Sequence, residues 1–205
     1  MYIDIAFPKG NEKEFVDLAI KLGYGNLCFV YSSIKDIDGL KKLNGKYGIN
    51  LYSGLLSKPE EIFRLKNKAD LILVRGSDKD RFVLEKAKPD ILSGLENKGR
   101  DSLHYRASGL NQVLCKLAKE NDIYIGLDFS SLLIADDQQK AILLGRMRQN
   151  AKFCRKYKVK IVIASFAKKP MQLRSPHDLI SFGIALGMHP SEAKKSLIQA
   201  LEKVK

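Results

Sequence analysis

The sequence predicts an α/β fold whose parallel strands close into a (β/α) barrel. Seven short apolar runs recur along the 205 residues, several of them apolar on consecutive positions, as strands covered on both faces require. Amphipathic runs separate them, the pattern of parallel strands joined by crossover helices. No glycine-rich phosphate loop follows the first strand, which disfavours the rival arrangement, a doubly wound open sheet. The length lies at the low end for a closed barrel. No repeat, low-complexity stretch or linker interrupts the chain, so residues 1–205 read as one domain.

In chain order, the strand "YIDIAF" (2–7) is followed by a helix over 11–22, and "NLCFVYS" (26–32) by a helix over 36–47. The strand "INLYSGLL" (49–56) leads to a helix over 58–68, and "DLILVRG" (70–76) to one over 78–88. After "DILSG" (90–94) comes a loop, then the clearest helix, 109–121. There Leu110, Val113, Leu114, Leu117 and Ala118 follow the i, i+3, i+4, i+7, i+8 rule. "IYIGLDF" (123–129) precedes a long helix over 137–157, and "KIVIASF" (160–166) precedes two more, 176–186 and 191–203. "SPHD" (175–178) is a strong helix start: Ser175 caps, Pro176 suits the first helical position, and Asp178 favours the positive end.

The formal net charge of +13 bears on partners rather than fold, and the commonest cellular polyanions are nucleic acids and anionic membranes. Residues 1–100 carry +4 and residues 101–205 carry +9, so the excess sits in the second half. A Lys-rich surface also serves solubility or heat adaptation. Cys28, Cys115 and Cys154 are far apart and form no CxxC, which argues for a reducing compartment and against a disulfide or zinc framework. The opening "MYIDIAFPKG" turns polar too soon for a secretory signal, and no apolar run approaches the roughly 20 residues that span a bilayer. These features predict a soluble cytoplasmic protein.

Catalytic motifs are sparse. There is no Walker loop, dinucleotide fingerprint or nucleophile elbow. His104, His177 and His189 form neither H-x-H nor H-E-x-x-H. Asp4 and Asp128 sit on predicted strands without histidine companions. A two-carboxylate Mg²⁺ site is conceivable there, but buried or capping aspartates are the favoured reading.

Two stretches are informative. In "GRDSLHYRASGLNQVLCKLAKEN" (99–121), Arg100, His104 and Arg106 occupy a loop before the best helix. Ser108, Gly109, Asn111 and Gln112 lie at its first turn, and Lys116 one turn later. Basic residues beside unpaired helix N–H groups suit an anion. In "RMRQNAKFCRKYKVK" (146–160) there are seven Lys or Arg and no acid. A helical wheel gives an apolar face of Leu144, Met147, Ala151 and Cys154 beside a stripe of Arg148, Lys152, Arg155 and Lys156. Like charges at i and i+4 cost about 0.2–0.5 kcal/mol per pair, so the stripe suggests a counter-charge from outside, phosphate above all. A membrane is the weaker alternative, since only Phe153 offers a bulky anchor at the edge of the apolar face.

"SGLNQVLCKLAKEN", "IYIGLDFSSLL", "RMRQNAKFCRKYKVKIVIAS" and "LRSPHDLISFGIALGM", in that order and with "DLILVRGSD" upstream, resemble the archaeal ribonuclease P protein component 3 family. That family is the counterpart of the thirty-kilodalton subunit of eukaryotic nuclear RNase P. The resemblance covers nearly the whole chain. It implies a TIM-barrel-like fold related to PHP-type phosphoesterases and a non-catalytic role beside the RNA that removes the 5′ leader from precursor tRNA. It also implies partnership with RNase P RNA, component 2 and other protein subunits. No cofactor is expected on the protein itself, and Mg²⁺ is expected for the holoenzyme RNA. A stand-alone metal-dependent phosphoesterase on the same barrel is the alternative.

In a (β/α) barrel the 99–108 loop, the segment after "KIVIASF" and the end of "DLILVRG" share the C-terminal face of the strands. One continuous basic surface of Arg75, Arg100, His104, Arg106, Lys116, Arg148, Lys152 and Arg174 is therefore expected. Each would be a phosphate or 2′-OH contact and none a general acid or base.

Overall fold

All seven apolar runs are strands: β1 (Ile3–Ala6), β2 (Asn26–Tyr31), β3 (Asn50–Leu56), β4 (Leu71–Arg75), β5 (Ile91–Ser93), β6 (Tyr124–Asp128) and β7 (Ile161–Ala164). In this computed structural model, which describes residues 1–41, 45, 47–97 and 99–204, they form one parallel sheet in sequence order. The helices lie outside it: α1 (Glu12–Lys21), α2 (Ile37–Lys41), α3 (Ile62–Leu65), α4 (Asp80–Phe82), α5 (Gln112–Glu120), α6 (Ser130–Ile134), α7 (Asp137–Tyr157), α8 (Pro176–Ala185) and α9 (Pro190–Ser196). Part of the helix expected over 36–47 lies outside the described residues.

The strands are apolar on consecutive positions because each has two buried faces. Ile3, Ile5, Cys28, Val30, Leu71, Leu73, Ile91, Tyr124, Val162 and Ala164 fill the barrel. Their neighbours Leu27, Phe29, Ile72, Val74, Leu92, Ile125, Leu127 and Ile163 belong to the outer layer beneath the helices. Gly126 also belongs to the interior: a Cβ there would sit 2.9 Å from the Ser93 Cβ and 3.1 Å from the Phe166 ring.

The sheet is nearly closed rather than closed. Between β1 and β7 the backbone makes a single bridge, Ala6 to Ala167, with Phe7 N–H donating to Ala167 O at 2.7 Å. Side chains and the C-terminal segment span the rest of the seam. The Asp4 carboxylate accepts from Ser165 N–H at 2.7 Å, and Ile3 N–H donates to Leu197 O at 3.0 Å. Gln199 Oε1 accepts from Ile161 N–H at 3.1 Å, and Ala200 joins the interior core. Phe166, two residues beyond β7, stands at φ +48, a strained angle for a bulky residue, and its ring stacks on Phe7 across the seam.

Local signals explain several ends. Ser175 and Asp178 form the reciprocal cap of α8 with Pro176 at its first position. Asp136 caps α7 by accepting from Gln139 N–H at 2.8 Å, and Lys158 ends it in the left-handed region. The helix expected over 58–68 shrinks to four residues, and α4 widens after three residues into a π-helical Val83–Ala87. The last expected helix stops at Ser196, followed by the 3₁₀ turn Gln199–Glu202 at the seam.

Candidate nucleic-acid interface

The loop between β5 and α5 is held against α7 by one buried arginine. Arg146 donates to the Asp101 carboxylate at 2.9 Å, to Glu96 O at 2.9 Å and to Gly99 O at 3.1 Å. One turn further on, Asn150 donates to Ser108 O at 2.8 Å. Asp101 in turn accepts from Ala107 N–H at 2.7 Å, tying off the base of the loop. Partial burial works against the Asp101 charge, but that N–H and Arg146 together hold its carboxyl below the usual range. Gly109 stands at φ +88, where a Cβ would lie 2.6 Å from Leu95 O, so only glycine allows the chain to turn into α5 here.

Glu96, under Arg146, is fully buried, and its carboxylate oxygens have no hydrogen-bond partner among the described residues. Burial pushes this carboxyl up to about 7. Its ionisation cost is absent below the ordinary value of 4.5, grows as pH rises towards 7 and is complete above it. Urea unfolding of Glu96→Gln should show a stability gain over the parent that rises by about 3 kcal/mol between pH 4 and pH 8. An equal difference at both pH values would refute this.

Above these supports the tip of the loop is open. Ser102 and Tyr105 pair as a short antiparallel bridge that exposes Leu103, His104 and Tyr105. Arg106 is exposed and donates to Gly145 O on α7 at 3.1 Å. Arg106, His104 and Gln149 share a polar cavity of about 400 Å³. Arg100 is exposed at the start of the loop, and Lys116 is exposed on α5, which packs on α7. Arg148 and Lys152 are exposed on α7 and make no ion pair among the described residues.

The structure therefore brings Arg100, His104, Arg106 and Lys116 to the α5–α7 flank, with Lys152 on the exposed face of α7 and Arg148 leaning away towards the α8–α9 turn, 3.8 Å from where a Gly187 Cβ would sit. Arg75 and Arg174 are placed elsewhere and already have partners. The Arg75 guanidinium reaches Asp128 at 2.5 Å in the barrel mouth, 5.2 Å from the Phe7 ring centroid and 5.8 Å from that of Phe166. Arg174 donates to Met171 O and Leu173 O and lies over Phe129. The first turn of α5 is also served from within: Asn111 Oδ1 accepts from Leu114 N–H at 2.9 Å.

The one-sided charge of residues 146–160 has a divided explanation. Arg146 is the loop clamp, Arg155 pairs with Glu192 at 2.6 Å, and Lys160 pairs with Glu202 at 2.8 Å while donating to the Tyr124 hydroxyl. Arg148, Lys152, Lys156 and Lys158 remain exposed to solvent. The buried face of α7 is Leu143, Met147, Ala151 and Cys154 with Arg146 and Asn150, while Leu144 is exposed. Sequence reasoning missed Arg146, Asn150 and Asp101. The available signal was position: 143, 146, 147 and 150 share a helical face, so the polar pair needed internal partners.

In the barrel mouth, Arg75 and Asp128 neutralise each other where metal-dependent barrel enzymes assemble ligands. Among the described residues, no three His, Cys, Asp or Glu converge as a metal site.

A family model described as RNase P subunit p30 matches residues 1–204. The ribonuclease P protein component 3 of Methanosarcina acetivorans is 28% identical over 210 residues, covering 97% of this chain and 85% of the relative. That of Methanocaldococcus jannaschii is 32% identical over 165 residues, covering 76% and 68%. A chain in the cryo-EM structure of archaeal ribonuclease P with mature tRNA has a TM-score of 0.83 at 28% identity, covering 98% of this chain and 89% of that one. Aspergillus niger ochratoxinase, at 11% identity and a TM-score of 0.66 over 99% of this chain and 71% of its own, shares the fold alone. The match to the family model along residues 1–204 makes this chain a member of the RNase P subunit p30 family.

Proposed function

We infer that this chain is a protein subunit of ribonuclease P that binds the catalytic RNA and supports removal of the 5′ leader from precursor tRNA. The observation that carries this is the family match over residues 1–204, joined by a solved relative of the same fold in archaeal ribonuclease P with mature tRNA. The exposed cations on and beside α7 supply the chemistry, since they have phosphate-binding groups and, for Arg148 and Lys152, no ion pair among the described residues. Mg²⁺ serves the RNA rather than this chain. Component 2 docks on α8, where Ile184 is exposed, and other protein subunits complete the particle. The three cysteines are free and buried, in keeping with a reducing cytoplasm.

Reconstitution with RNase P RNA and component 2 tests this. The two proteins should co-elute. Arg106→Ala or Arg148→Ala should slow precursor-tRNA cleavage a few fold at low Mg²⁺, with partial rescue at high Mg²⁺, because metal ions replace lost positive charge at the RNA. Complete loss of cleavage at every Mg²⁺ concentration, with assembly intact, would assign these residues to the chemistry itself and overturn the scaffold role.

A further inference from the structure

The barrel mouth carries a feature that the α5–α7 flank does not use. A cavity of about 630 Å³ opens over the ends of β1 to β4. Small-molecule sites span roughly 300–1,000 Å³, and ligands of such barrels bind at this end of the strands.

The lining combines apolar, cationic and acidic side chains. Phe7, Val30 and Leu56 give it an apolar floor. Lys9 and Lys168 line the cavity from the chain just beyond the Ala6–Ala167 bridge. Both are exposed, and neither makes an ion pair among the described residues. Glu12 and Asp36 also line it, with Glu12 accepting from the Tyr31 hydroxyl at 3.3 Å. Arg75 lines it too, with its charge answered by Asp128. A matching ligand therefore carries an anionic group, a flat apolar body, and hydroxyl donors that reach carboxylates.

We propose that this cavity binds a single ribonucleotide. Its phosphate lies between Lys9 and Lys168, its base packs on the Phe7 side of the floor, and its ribose hydroxyls face Glu12 and Asp36. Lysine holds phosphate as a point charge, carboxylates accept from ribose hydroxyls, and an aromatic floor accepts any base. A free nucleoside monophosphate and one unpaired nucleotide of a bound RNA share this chemistry. The site is separate from the α5–α7 flank and does not depend on it.

Calorimetric titration of the whole chain with AMP, dAMP and inorganic phosphate tests the assignment. AMP should bind saturably, dAMP about tenfold more weakly for want of the 2′-hydroxyl, and phosphate more weakly still. Lys9→Ala/Lys168→Ala should weaken AMP by at least about tenfold with an unchanged melting temperature, because both side chains are exposed. Competition with a short single-stranded RNA then identifies the source. Displacement by AMP points to an RNA nucleotide, and AMP binding without displacement points to a free one; both uphold the site. Absence of saturable AMP binding up to about 10 mM, or equal affinities for the parent and the double variant, overturns it.

Discussion

Arg146→Ala should lower the melting temperature by about 6–12 °C. The parent side chain is only 6% exposed and joins α7 to three acceptors on the β5–α5 loop. Removing it strands the Glu96 and Gly99 carbonyls and takes the counter-charge from Asp101, which is 30% exposed and so partly hydrated. Breaking a buried pair by deleting one partner costs about 3–5 kcal/mol, and the hydration of Asp101 puts this case near the lower end. For a chain of this size each kcal/mol shifts the midpoint by about 2–4 °C. Arg146→Lys should recover only part of the loss, because an ammonium cannot reach three acceptors in the plane of a guanidinium. Thermal unfolding followed by circular dichroism measures this directly. A shift under about 2 °C for Arg146→Ala would show that the loop is held by other contacts.

Affinity for RNase P RNA should fall about a thousandfold between 50 mM and 200 mM monovalent salt. Arg100, Arg106, Lys116, Arg148, Lys152 and Lys156 are exposed on or beside α7, and six phosphate contacts release enough counterions for a fall of that size. Arg148→Ala/Lys152→Ala should reduce the slope of log affinity against log salt by about 2, with little change in which RNA is preferred. Arg75→Ala should leave that slope unchanged, since Asp128 already neutralises its guanidinium. Filter binding across a salt series gives all three slopes. A flat dependence for the parent would mean that the surplus charge does not serve RNA.

The strand pattern was the most legible part of the chain. All seven expected strands form, because a sheet buried on both faces leaves unbroken apolar runs. Helices with strong caps were also legible: α7 spans 137–157 as expected, and α8 starts behind Ser175. Helix α6 was not, since "SSLLI" directly follows β6 and reads as apolar strand continuation. Neither was the length of the last expected helix, because tertiary contacts rather than periodicity pull residues 197–202 to the barrel seam. The site was half legible. Exposed cations such as Arg148 and Lys152 follow from charge patterning, but a count of charges cannot separate them from Arg146, Arg155 and Lys160, whose acidic partners lie 37 to 45 residues away in the chain. Arg75 was assigned to the right end of the right strand; its engagement with Asp128, 53 residues on, needed the fold.

The seam between β1 and β7 also sets when the protein can finish folding. Strands β1 to β7 pair in the order they leave the ribosome, so each can add to its predecessor during synthesis. The closure is different: it joins Asp4 to Ser165, Ile3 to Leu197, and Ile161 to Gln199. Asp4–Ser165 spans 161 positions and Ile3–Leu197 more still, and loops that long are the most expensive kind to close. Residues 165–167 can cover the upper part of the β1 edge, but until residues 197–200 have emerged the Ile3 end of the seam stays open and the inner apolar layer lacks Ala200. A nascent chain stalled shortly before residue 197 is therefore where this protein is most exposed to aggregation and most in need of a chaperone.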